Sequence, residues 1–111
     1  MNIIISNPQL NKVVLLYIKN NFENLTTESN PENPDSIYYV DENNQAIMEY
    51  EPEENDIWIN REKFWSKIET LFSLSYLQTQ LIIKKWLSDK YKIKNATPRP
   101  IPDISLNHHY H

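Results

Sequence analysis

No glycine occurs in these 111 residues, so every turn or helix end that needs a positive φ must be made by a residue carrying a Cβ. Asn and Asp are the cheapest substitutes, because their short polar side chains bond locally in the left-handed region. With fourteen Asn in the chain, the expectation is that each such position is an Asn or an Asp. The same absence removes glycine-rich phosphate loops and the G-x-S-x-G elbow from consideration.

Within that constraint the apolar pattern outlines a fold. Ile3, Ile4 and Ile5 read as a brief strand. Asn7-Pro8 has the form of a helix start, and Leu10, Val13, Val14, Tyr17, Ile18, Phe22 and Leu25 follow at helical spacing. Residues 26–36 are polar and twice interrupted by proline, which predicts a surface loop. Ile37-Tyr38-Tyr39-Val40 and Ala46-Ile47-Met48-Glu49-Tyr50 predict a hairpin around Asp41–Gln45, and Asp56-Ile57-Trp58-Ile59 predicts a third strand of the meander.

Asn60 is a good N-cap for a helix whose stripe is Phe64, Trp65, Ile68, Leu71 and Phe72. Ser75 and Gln78 form an S-x-x-Q capping box ahead of Tyr76, Ile82, Ile83, Trp86, Leu87 and Tyr91. Beyond Ile93, the prolines at 98, 100 and 102 exclude helix and predict an extended arm. The expected architecture is therefore α+β in the order β-α-β-β-β-α-α, an antiparallel sheet or meander packed against helices. Residues 1–94 form the domain, and 95–111 form a proline-rich C-terminal arm outside its core.

Charge is segregated along the chain. Residues 1–62 carry three basic and twelve acidic side chains, net −9, whereas residues 63–111 carry eight and three, net +5. Lys84, Lys85, Lys92, Lys94 and Arg99 form a basic stripe on the last helix and arm. Such a stripe fits phosphate contact on a nucleic acid, or simply a solvated helix face. The overall charge of −4 weighs against the nucleic-acid reading, since binders of polyanions usually carry a basic excess.

Glu49, Glu51, Glu53, Glu54 and Asp56 crowd around Pro52. They lack the ligand order and the glycine of a calcium loop and read as an edge-protecting turn, or as an acidic surface mimicking nucleic acid. His108, His109 and His111 sit in a tail without the supporting shell a metal site needs. With no Cys there is neither a thiol nucleophile nor a disulfide framework. No H-E-x-x-H is present, and no run approaches the length of a membrane span.

These observations point away from an enzyme and call for no metal or cofactor, no membrane and no small-molecule substrate. The expected role is a non-catalytic interaction or assembly protein, of phage or bacterial accessory type, located in the cytoplasm or in a virion. It would dock on a protein partner or a second copy through Pro98, Arg99, Pro100, Ile101, Pro102, Ile104 and Leu106. Nucleic-acid binding through the basic stripe is the alternative, and acidic mimicry the third reading.

Overall fold

The computed structural model describes residues 7–104. The expected strand at Ile3–Ile5, Leu106 and the three histidines lie outside the described residues. Helix α1 spans Asn7–Asn21, followed by strands β1 (Thr26–Asn30), β2 (Asn33–Val40), β3 (Ala46–Glu51) and β4 (Asp56–Asn60). A π-helical turn, Arg61–Trp65, runs directly into α2 (Ser66–Phe72), and then come α3 (Tyr76–Tyr91) and β5 (Thr97–Ile101). The five strands form one mixed sheet in chain order, antiparallel except that β5 lies parallel to β4. This is the expected α+β class, with helices packed on the sheet.

Local chemistry explains most boundaries. Asn60 Oδ1 accepts from Lys63 N at 2.9 Å, while its Nδ2 donates to Ala46 O at 3.1 Å, so one buried amide caps the helix and ties it to β3. The Ser75–Gln78 capping box forms in both directions. Asp41 Oδ1 accepts from Asn43 N and Gln45 N, closing the β2–β3 turn. Positive φ occurs at Asn44, Asn55, Ser73 and Lys92. The rule for a glycine-free chain thus holds at two β turns and fails at two helix ends. Ser73 and Lys92 end α2 and α3, where the cap N–H groups bond back to Glu69 O and Leu87 O. Those helix-terminal bonds offset the roughly 1 kcal/mol that a Cβ costs in the left-handed region.

Two expectations need correction. Residues 26–36 are not a loop: β1 pairs with β2 from Thr26↔Val40 to Ser29↔Ile37. Pro31 sits in the turn, and Pro34 lies where the register shifts between Ser29 and Asn30. Asn30 and Asn33 hold that turn by accepting from Glu32 N and Asp35 N. An edge strand with little apolar burden shows no alternation, which is why it reads as a loop.

The second correction concerns the arm. Thr97–Ile101 is extended as expected, but it is the fifth strand, with Thr97 N donating to Asn55 O at 3.0 Å. The sheet is consequently mixed rather than antiparallel. In a strand, alternate residues point their N–H groups to the same side, so Thr97, Arg99 and Ile101 face β4 while Pro98 and Pro100 face outward. The prolines remove donors only from the edge that no strand covers, the one place in a sheet where proline is tolerated. On that outer side Pro98 O accepts from Gln80 Nε2 at 2.9 Å.

The main core lies between sheet and helices, with Val14, Ile18, Phe64, Ile68, Ile83 and Leu87 packed over Met48, Ile57 and Ile59. Phe22 stacks on Phe64 at 4.3 Å between ring centroids, and Phe64 is tilted against Trp86. Trp65 is 1% exposed and donates Nε1–H to Glu69. A smaller cluster of Tyr38, Val40, Ala46 and Ile104 occupies the other face of the sheet, with Ile101 against it. Ile104 is 7% exposed, so residues 102–104 cross from β5 onto that face. Among the described residues no helix is long and apolar enough to cross a membrane.

Candidate docking surface

Among the described residues, six large apolar side chains stand half or more exposed: Val13 and Leu16 on α1, Leu71 on α2, and Tyr76, Leu77 and Leu81 on α3. All six belong to the helical layer. Val13, Leu71 and Tyr76 were expected in the core stripes but are exposed. The π-helical turn carries an i to i−5 bond from Ser66 N to Arg61 O, and Phe64, Trp65 and Ile68 in and after it are buried. Leu71, at 58% exposed, is turned out beside the buried stripe.

An open groove of about 670 Å³ follows this outer side of α2. Arg61 and Glu62 from the π-helical turn and Ser66, Lys67, Thr70 and Leu71 from α2 line it, with Tyr17 of α1 and Pro102 at its margins. Tyr17 is held edge-on to Phe72 at 5.5 Å between centroids, so its ring is fixed before anything binds. Arg61 and Lys67 make no ion pair with the described residues, where the pairs are Lys85–Asp89 and Arg99–Asp56.

The residues expected to dock as an arm are distributed differently. Pro98 and Ile104 are buried inside this chain and are not available to a partner; Pro100 and Ile101 are half-buried in the sheet. Arg99 is exposed and lies 3.7 Å from Asp56. Pro102 alone of the set reaches the groove. Leu106 lies outside the described residues.

The basic stripe is partly engaged within the chain. Lys85 pairs with Asp89 at 3.2 Å, Lys92 Nζ donates to Asp89 O, and Lys90 Nζ donates to Glu23 O. Lys84 and Lys94 are exposed. The lysines therefore sit around Asp89 and the end of α1 rather than forming an uninterrupted rail.

The acidic turn is likewise knitted into the sheet. Glu51 accepts from Trp58 Nε1 and Glu49 from Asn30 Nδ2. Burial pushes the Glu49 carboxyl above its ordinary range, the Asn30 bond partly opposes this, and neighbouring Glu51 adds to it. Among the described residues, no group of three or more His, Cys, Asp and Glu side chains is arranged to hold a metal ion.

Sequence reasoning missed Tyr17, Arg61, Lys67 and Leu71 as surface candidates. The available signal was Arg61, Lys63 and Lys67, three cations at the boundary between the acidic and basic halves. The fold and this surface define a small α+β domain with a mixed five-stranded sheet and an apolar-studded helical layer. No family model matches the chain, and neither a curated protein nor a solved structure matches it significantly.

Proposed function

We propose that this is a non-catalytic protein-interaction module that docks through its helical layer. The observation carrying the proposal is that, among the described residues, the exposed large apolar side chains are confined to α1, α2 and α3. Exposed apolar side chains scattered singly are ordinary, whereas several on one layer of so small a domain resemble the centre of an interface. The helices are favoured over the arm as the docking element because Pro98 and Ile104 are buried within the chain.

The test is affinity capture from the source cell with single charge substitutions. Leu16→Asp, Leu71→Asp, Leu77→Asp and Leu81→Asp each replace an exposed side chain, so all should fold. A specific protein held by the wild type should be lost from at least one of them and retained by Glu53→Lys at the far turn. Identical behaviour of all variants would remove the proposal.

A further inference from the structure

We infer that the groove along α2 seats an amphipathic acidic segment of a protein partner, a helix with one apolar face flanked by carboxylates. This rests on the reading of the helical layer as the docking side and names which part of it binds and what it takes. The groove volume of about 670 Å³ falls in the range of ligand sites, but small ligands are held by burying most of their surface in an enclosed pocket. Here the walls are exposed side chains: Arg61, Glu62, Lys67, Thr70 and Leu71 all face solvent. An open trough of this kind suits a segment laid along it, which buries area by length rather than by enclosure.

Its chemistry selects the segment. Tyr17, Leu71 and Pro102 supply apolar contact, and the Tyr17 ring is already fixed against Phe72, so little entropy is lost there on binding. Arg61 and Lys67 bring two cations without ion-pair partners among the described residues. A carboxylate reaching either one gains a charge-assisted bond without breaking an existing pair. The cations are six residues apart along helical backbone, about 9 Å at ~1.5 Å per residue. Acidic residues separated by two turns of a partner helix span about the same distance. Glu62, adjacent to Arg61 in sequence, also lines the groove and disfavours a carboxylate placed directly against it. The π-helical turn that delivers Arg61 and Glu62 to the groove is a local irregularity of a kind frequent at functional sites.

A random 12-residue peptide library displayed on phage, selected against the full chain, tests the inference. Enriched peptides should carry apolar residues at i, i+3 or i+4 and i+7 with Asp or Glu about two turns apart. Fluorescence anisotropy with the best peptide should show binding weakened at least tenfold by Leu71→Asp and by the double variant Arg61→Glu/Lys67→Glu. Exchanging the peptide's acids for lysine should restore binding to the double variant. Circular dichroism controls for folding.

Basic consensus peptides, or affinity unchanged in both variants, would overturn the inference. Peptides lost only in Leu77→Asp or Leu81→Asp would overturn this groove while leaving the helical layer as the docking side. No enrichment, together with no partner captured by the wild type, would sink both. A concentration-dependent dimer abolished by Leu71→Asp in sedimentation would identify the occupant as a second copy and so refute the acidic segment.

Discussion

The two faces of the sheet are made by the same strands and have opposite characters. Toward the helices, Ile37, Tyr50, Ile57 and Pro98 form one cross-strand row, and Tyr39, Met48, Ile59 and Pro100 form the next. On the other side, Glu28, Tyr38, Glu49, Trp58 and Arg99 line up across all five strands. One face thus merges into the main core, while the other holds a small apolar cluster completed by Ile104 beside a row of polar and aromatic groups. The contrast places most of the buried apolar residues on the helical side, and on the other face Ile104 packs in one cluster with Tyr38 and Val40.

Truncation is the most forceful way to break the comparison. Ending the chain after Ala96 removes β5 from one face and Ile104 from the other, and it strips the β4 edge. The expected outcome is loss of cooperative thermal unfolding, since this exceeds what a domain with roughly 5–15 kcal/mol of total stability can lose. A truncated chain melting like the full one would show that the second face contributes nothing.

Trp65→Ala should cost about 3–5 kcal/mol in urea titrations, as expected for a large aromatic removed from a dense core. Ile104→Ala should cost less, about 2 kcal/mol, because the small cluster leaves the site freer to collapse. If Ile104 proved as costly as Trp65, the two faces would be energetically equal and the contrast would fail.

Tyr91 sharpens the helical side with an effect of opposite sign. Its hydroxyl is buried without a hydrogen-bond partner, beside Tyr39 at 4.8 Å and Trp86 at 5.5 Å between ring centroids. Tyr91→Phe should therefore stabilise the fold, by about 1 kcal/mol. Burial, and then Tyr39, push the Tyr91 pKa from 10.0 up to about 12. A group held neutral in the folded state contributes its full stability below the unfolded value and loses it as pH rises. Wild-type stability should thus fall between about pH 10 and 12, and the Phe variant should lose part of that slope.

The smallest effect concerns the polar face. Because burial raises the Glu49 carboxyl above 4.5, its protonated form favours the folded state. Its contribution is complete below the ordinary value and disappears as pH rises through the raised one. Denaturation midpoints measured from pH 4 upward, on the order of the ordinary carboxylate range, should decline less steeply in Glu49→Gln than in wild type. An unchanged slope would show that Glu49 is solvated in the fold.

Much of this was legible because it is local. Asn60, the Ser75–Gln78 box, the Asp41–Gln45 turn and the buried Trp65 and Trp86 each follow from side-chain chemistry within a few residues, or from strong periodicity. The edge strands were not legible. Thr26–Asn30 carries almost no apolar signal, and the prolines of 97–101 argue against helix without saying that a sheet edge awaits them. The groove was hidden for a related reason: Leu71 sits at the margin of the apolar stripe, where periodicity alone does not say whether it faces in or out.

The amino-acid sequence by itself determined the helices and the central hairpin, the substitution of Asn for glycine at the β turns, and the separation of charge into two halves. Those properties rest on propensity, capping and composition, which act over short spans of chain. Tertiary structure alone decided that residues 97–101 lie parallel to β4 and that Ile104 closes the second face. Both depend on contacts between segments distant in sequence, and their energies exist only once the partners have been brought together.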